Sequence, residues 1–187
     1  MKFITISILM FLYSVASFAE SLPDDSIYNI ESTWLNQNKV SVQIEKLSGQ
    51  VQVIAFVYTY CEHSCPIIIS RLKAIAKNIP DDAINSVHFS LFSLDPKRDT
   101  PEQLKLFAQK HNLDEKHWSF YNGDPDQVLE LAALVGVRYK PMNNENDDIA
   151  HSNMITVLDK QGRIAYQVKG FEEDLQTVIN VINAKVN

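Results

Sequence analysis

Apolar positions along this chain alternate between two spacings. Val51-Gln52-Val53-Ile54-Ala55-Phe56-Val57-Tyr58 is a nearly continuous apolar, β-branched run of strand length, and Val87 to Leu94 is a second. Such runs predict central strands covered on both faces. Between them Ile68, Leu72, Ile75, Ala76 and Ile79 recur at helical spacing, with Pro66 suited to the first helical turn and Pro80 stopping the helix. Thr100-Pro101-Glu102-Gln103 and Asp124-Pro125-Asp126-Gln127 each combine an N-cap residue, a proline at the first position and a glutamine at the capping-box position. They predict helices carrying Leu104, Phe107 and Ala108, and Val128, Leu131, Ala132 and Val135, the latter stopped by Gly136. Trp118 to Tyr121 reads as a short strand. Met154 to Leu158 and Ile164 to Val168 flank the turn Asp159-Lys160-Gln161-Gly162 as a hairpin, and Leu175, Val178, Ile179 and Ile182 mark a last helix. Near the N-terminus, alternating stretches from Ile27 to Leu35 and from Val40 to Ile44 predict a first hairpin.

This order predicts an α/β protein with a mixed central sheet flanked by helices, parallel around the first crossover and antiparallel at the C-terminal hairpin, plus an N-terminal β-hairpin extension. A thioredoxin-like fold has this layout. It puts strand-to-helix loops such as 59–65 at the carboxyl ends of strands, where sites form. No linker, repeat or low-complexity segment interrupts the chain, so residues 20–187 are expected to form one thioredoxin-like domain.

Composition changes the picture at one end. Met1-Lys2 precede an apolar stretch to Phe18, with small residues at Ser17 and Ala19, which predicts a secretory signal peptide over residues 1–19. The stretch is shorter than the roughly 20 residues that span a bilayer; if it were retained, it would anchor the protein to the inner membrane. Its loss removes one lysine and moves the formal charge from −6 to −7. An acidic chain without clustered Lys and Arg excludes nucleic acid as a partner class. Export places the domain in an oxidising compartment, where a close cysteine pair oxidises unless a metal or a reductant intervenes.

The chain's 2 cysteines form such a pair: Tyr58-Thr59-Tyr60-Cys61-Glu62-His63-Ser64-Cys65-Pro66. Closing so short a loop removes little entropy from the unfolded chain, so the pair is read as chemistry, not scaffolding. A helix N-terminus favours thiolate over thiol, which predicts Cys65 as the more readily ionised of the two. Two thiolates from one loop form a soft ligand set suited to Cu(I) or Zn(II), and His151, in Asp148-Ile149-Ala150-His151-Ser152 before a predicted strand, is the candidate third ligand. Structural zinc sites normally use four protein ligands, so three favour copper. The competing reading is a catalytic or structural dithiol with His151 an ordinary strand-end residue, although redox motifs of the thioredoxin type separate their cysteines by two residues, not three. The residues alone leave the metal and redox readings both open.

Three blocks together resemble the Sco family of copper-binding proteins: Tyr58-Thr59-Tyr60-Cys61-x-x-x-Cys65-Pro66; Ser93-Leu94-Asp95-Pro96-Lys97-Arg98-Asp99-Thr100-Pro101-Glu102-Gln103-Leu104; and Asp148-x-x-His151-Ser152. The resemblance implies a thioredoxin-like fold and binding of Cu(I) or Cu(II) through Cys61, Cys65 and His151. It also implies a role in assembling the binuclear copper centre of cytochrome c oxidase, by copper delivery or by reducing its cysteines. The implied partners are a copper-accepting protein, such as an oxidase subunit, and a thiol reductant; the implied place is the periplasm. Asp95 matches an acidic position near the metal loop, which implies support of the ligands or partner docking, beside the plainer reading that it caps the loop before Thr100. Arg98 and Asp99 are expected to pair within that loop.

The chain departs from the family's Cys-Pro-Asp-x-Cys-Pro pattern by carrying Glu62-His63-Ser64 between the cysteines. His63 is accordingly a fourth ligand, a ligand during transfer, or a solvent-exposed loop residue. The functions to be separated are a copper chaperone, a thiol-disulfide oxidoreductase using Cys61 and Cys65, and a peroxide-reducing enzyme of the same fold using Cys61.

Overall fold

The computed structural model describes residues 21–61, 64–142, 148–170 and 174–186. Nine strands and four α-helices follow in the order β1 (Thr33–Asn36), β2 (Ser41–Gln43), β3 (Val51–Val57), α1 (Ser64–Lys77), β4 (Val87–Ser93), α2 (Pro101–Lys110), β5 (Trp118–Asn122), α3 (Pro125–Leu134), β6 (Tyr139–Pro141), β7 (Ile149–His151), β8 (Met154–Leu158), β9 (Ile164–Lys169) and α4 (Leu175–Val186). Seven of the strands make one sheet in the order β2-β1-β5-β4-β3-β8-β9, and β6 and β7 make a separate two-stranded ribbon. β3 pairs parallel to β4 and β4 parallel to β5, whereas β3–β8, β8–β9, β1–β5 and β1–β2 are antiparallel. The fold is thioredoxin-like, with a mixed central sheet and an N-terminal hairpin extending its β5 edge.

The two apolar runs lie at the centre of the sheet because both of their faces are covered. Every residue of β3 is buried, as are all of β4 except His88. The rings of Phe56, Tyr121 and Trp34 all pack around that of Phe92, with centroids 4.6 to 5.9 Å from it. The helix starts follow the capping chemistry: Thr100 accepts from the Gln103 N–H, and Asp124 with Gln127 forms a reciprocal capping box. The β8–β9 turn uses Gly162 at φ +84°, where a Cβ would also lie 2.5 Å from the Tyr28 ring, so both backbone and packing call for glycine.

The extent of the first hairpin is corrected. The first hairpin is shorter than the alternation from Ile27 implies, because Ser26 accepts from the Tyr28 N–H and winds Ile27–Asn29 into a 3₁₀ turn buried beneath the β8–β9 turn, with Ile27 N–H bonded to Gly162 O at 3.1 Å. Likewise Ile44 leaves β2 for a second 3₁₀ turn, Ile44–Leu47. Helix α1 runs as expected, from Ser64 to Lys77, with Pro66 in its first turn and Pro80 three residues past its end. Pro66 still falls among the first N–H positions that have no intrahelical partner, so its missing donor costs nothing. The ribbon β6–β7 was not expected, since Tyr139, Lys140 and Pro141 carry no apolar alternation.

The proposed export signal lies outside the described residues. Among the described residues no helix is long and apolar enough to cross a membrane.

Candidate metal centre

The parallel pairing of β3 and β4 delivers two loops side by side. Val57 faces Ser93 at the end of the ladder, and the Leu94 N–H continues it to Val57 O at 2.9 Å. Beyond this point the first loop runs through Thr59 and Tyr60 to Cys61, closed by a Cys61 N–H to Tyr58 O bond of 3.1 Å, and the second runs from Asp95 to Thr100. Asp99 joins them. Its buried carboxylate accepts from the Thr59 N–H (3.1 Å), the Thr59 hydroxyl (2.6 Å) and the Ser93 hydroxyl (2.6 Å). Burial holds its acidity below that of an ordinary aspartate by raising its pKa, against the opposing effect of the Ser93 and Thr59 donors.

The expected Arg98–Asp99 pair is therefore absent. Arg98 instead pairs with Asp95 through its Nε, and its guanidinium lies 4.9 Å from the centroid of the Tyr60 ring. Asp95 also accepts from the Arg98 N–H at 3.3 Å, while its own N–H donates to Ser93 Oγ at 2.9 Å. Asp95 thus caps and braces its loop, and among the described residues reaches the cysteine loop through Arg98 and Tyr60. The sequence offers Asp99 only its neighbour Arg98 as a partner, because a partner 40 positions away leaves no local signal.

Helix α1 sets the second cysteine one turn from the first. Cys61 is 7% exposed and Cys65 fully buried, and the Cys65 N–H donates to Cys61 Sγ at 3.3 Å. The thiol of Cys65 beside Cys61, aided by the His151 ring, the Ser64 hydroxyl and that N–H, holds Cys61 far below the ordinary thiol range despite its burial. Cys65 moves the other way, pushed up by the neighbouring Cys61 sulfur and by burial. Cys61 is therefore the acidic member, and the expectation for Cys65 is corrected. The free N–H groups of α1 act on the sulfur lying in front of the helix, not on the one inside its first turn.

His151 arrives from outside the main sheet. It ends β7, opposite Tyr139 of β6, and the ribbon is closed by the Ser152 N–H to Arg138 O (2.8 Å) and the Arg138 N–H to Ser152 Oγ (2.9 Å). Tyr58 docks the ribbon on the core: its hydroxyl accepts from the Ile149 N–H at 3.4 Å, and its ring meets the His151 ring edge-to-face at 5.9 Å. Burial pushes the Tyr58 phenol up to about 12, so it stays neutral beside the site.

The ligand atoms of Cys61, Cys65 and His151 lie within 4.8 Å of one another. His151 Nδ1 is 3.3 Å from the Ser152 carbonyl, which can only accept; that contact places the proton of a neutral ring on Nδ1 and leaves a lone pair on Nε2. Ser64 Oγ is 3.3 Å from both Nε2 and Cys61 Sγ. With Cys61 ionised, its single hydroxyl proton can satisfy only one of these two acceptors. The cluster is thus rich in soft electron pairs and short of donors, a set that fits a soft cation.

Glu62 and His63 lie outside the described residues. The other histidines are elsewhere: His88 bonds Ser119 at 2.9 Å, and His111 closes α2 against Phe107.

Residues 23–187 match the model of the SCO1/SenC family. Among curated relatives, the SCO1 protein homolog of Bacillus subtilis is 29% identical over 166 residues, covering 88% of this chain and 86% of that protein. Among solved structures, Bradyrhizobium japonicum ScoI with copper bound superposes with a TM-score of 0.70 at 23% identity, over 82% of this chain and 96% of that one. BsSco, a member of the Sco family of cytochrome c oxidase assembly proteins in which a disulfide switch was identified, gives a TM-score of 0.70 at 26% identity, over 82% of this chain and 90% of that one. With the family model matched over nearly all of the described residues, this chain belongs to the SCO1/SenC family.

Proposed function

We propose that this protein is a periplasmic copper chaperone that holds one copper ion through Cys61, Cys65 and His151 and passes it to an acceptor, in the manner suited to assembling the copper centre of cytochrome c oxidase. The observation that carries the reading is the convergence of two sulfurs and one imidazole nitrogen within 4.8 Å. Thiolate and imidazole together suit copper, and a set of three suits a cargo ion better than a structural zinc. Bound copper would supply the charge that the paired Cys61 thiolate and His151 Nε2 lack. The chain's own part is to present Cys61 already ionised, to fix the His151 tautomer through Ser152 and to keep water from Cys65 by burial. The copper-bound ScoI structure and the oxidase-assembly description of BsSco support this reading by kinship. The further elements are a cleaved export signal over residues 1–19, one domain over 20–187 and a thiol reductant that restores the pair; membrane contact follows only if the signal segment is retained.

The test is reconstitution of the reduced protein with Cu(I), with ions counted per chain for the parent and for Cys61→Ser, Cys65→Ser and His151→Ala. One ion per parent chain, lost or sharply weakened in each variant, is the expected result; unchanged affinity in His151→Ala would sink the three-ligand site.

A second reading has its own support. The opposite displacement of the two thiols is what a disulfide exchange pair needs, with Cys61 attacking and Cys65 resolving. The two readings part at His151, whose removal weakens copper binding but leaves thiol exchange intact.

A further inference from the structure

We propose that the cleft between the cysteine loop and helix α2 is the docking groove for the acceptor, and that it selects an extended, acidic, cysteine-bearing peptide segment. This rests on the reading of Cys61 as the residue that exchanges ligands or electrons with a partner's sulfur.

The cleft has a volume of about 550 Å³ and is lined by Tyr60, Cys61, Pro66, Phe107, Lys110 and His111. A smaller adjoining cleft of about 210 Å³ shares Tyr60, Phe107 and Lys110 with it and extends along α2 past Gln103 and Leu106. Another cleft, of about 580 Å³, lies away from the cysteines against Tyr28–Thr33 and Gln43–Glu45, and among the described residues it brings no thiol or cluster of metal-ligating groups together.

Three properties define what fits. First, Cys61 is 7% exposed and Cys65 not at all, so a partner sulfur must come to Cys61, and this is the cleft that Cys61 lines. Second, the walls carry exposed apolar groups among polar ones: Tyr60 and Leu106 remain 51% and 56% exposed, beside Phe107 and Pro66. Exposed aromatic and aliphatic side chains flanking a buried reactive group are the kind of surface that a peptide covers. Third, the charge is inverted relative to the whole. In a chain of net charge −6, no carboxylate lines either cleft among the described residues, whereas Lys110 lines both. Lys73 adds to it from α1 by donating to His111 O at 3.0 Å, and Arg98 lies over Tyr60 while paired with Asp95. His111 adds no charge at neutral pH, because burial and the two lysines lower its pKa. A positive lip in an acidic protein favours a partner segment with carboxylates and disfavours a basic one. An extended segment suits a cleft whose lining thiol is only 7% exposed, because one side chain on an unfolded backbone can be fed down to it.

The test uses the full chain in its metal-free, reduced form, with Cys65→Ser to stop resolution. The probes are two peptides of equal length with one central cysteine, one flanked by glutamates and the other by lysines, each activated as a mixed disulfide with thionitrobenzoate. The Cys61 thiolate attacks the peptide sulfur, the new disulfide joins Cys61 to the peptide, and thionitrobenzoate leaves with the electron pair of the broken bond, giving the optical readout. The acidic peptide should react about 10-fold faster than the basic one at low salt, and Lys110→Glu should remove or invert that preference. Lys105→Glu makes the same charge change on the same helix, but at a residue that pairs with Glu115 and lies outside the cleft, and should leave the preference in place. Equal rates for the two peptides in the parent, a preference untouched by Lys110→Glu, or an equal effect of Lys105→Glu would each overturn the proposal. No copper enters the assay, so its failure is distinct from failure of the metal site.

Discussion

The two sides of the candidate metal centre are built differently. The cysteine side grows out of the most buried part of the molecule: it follows β3, which is wholly buried, is tied at Thr59 to the buried Asp99, and runs into the first turn of α1. The histidine side is a two-stranded ribbon outside the seven-stranded sheet, attached to the core near His151 through Ile149 and Tyr58. The difference teaches that the sulfurs are set in the core itself while the imidazole is presented by a separate element. This division suits a carrier, since a thiolate pair set in the core gives affinity and a third ligand on its own ribbon gives a route for exchange.

The comparison is broken most severely by removing a ligand from either side. Cys61→Ser should lower Cu(I) affinity by more than about 100-fold, beyond the loss seen when only outer support of a ligand is removed. His151→Ala should cost less than Cys61→Ser, because soft thiolates contribute most to Cu(I) affinity. Competition titration against a Cu(I) chelator measures both; equal losses would remove the distinction between the two sides.

Next in size is the asymmetry within the cysteine side. A thiol of ordinary pKa near 8.5 loses about tenfold in thiolate for each pH unit below it, whereas Cys61, held far below that range, stays ionised as pH falls from 8 to 5. Alkylation of the reduced protein with iodoacetamide at pH 6, followed by peptide mapping, should therefore label Cys61 over Cys65 by about 100-fold. The sign for stability follows: Cys61's depressed pKa contributes stability that is present above the unfolded thiol's pKa and lost as pH falls toward the folded one, while the raised pKa of Cys65 contributes stability that is present below the unfolded pKa and lost above it. Preferential labelling of Cys65 would contradict the assignment.

The tie at Thr59 comes third. Asp99→Ala leaves the Thr59 N–H and two hydroxyls without their acceptor in a buried setting, and should destabilise the protein by about 2–3 kcal/mol in denaturant unfolding. It should also weaken Cu(I) binding, since the loop it anchors carries Cys61. Smallest is Ser64→Ala, which removes a hydroxyl 3.3 Å from each of two acceptors and able to donate to one of them, and should change Cu(I) affinity by less than about 10-fold, that is by less than about 1.4 kcal/mol. A larger loss would make Ser64 part of the ligand set.

The two sides also differed in how far they could be read before the structure was known. β3, β4 and the capped helices α2 and α3 follow from local patterns whose physics is contained in a few neighbouring residues, and the three blocks around Cys61, Asp95 and His151 pointed to the site. What local pattern did not carry was contact between distant segments. Asp99 bonds Thr59, not its neighbour Arg98; Ile27 is pulled from the first hairpin by Gly162; and the ribbon bearing His151 is held by pairing with Tyr139, where the strand residues lack apolar alternation. The acidity of Cys61 belongs to the same class. Helix position alone favours Cys65, and only the placement of the Cys65 thiol and N–H, His151 and Ser64 around one sulfur reverses the order.

The most direct test of the converging centre is X-ray absorption at the copper edge on the Cu(I)-loaded protein, compared with its His151→Ala variant. The structure predicts two sulfurs and one imidazole nitrogen about each copper in the parent, and loss of the nitrogen contribution in the variant. A parent spectrum with sulfur ligands alone, or one unchanged by His151→Ala, would contradict it.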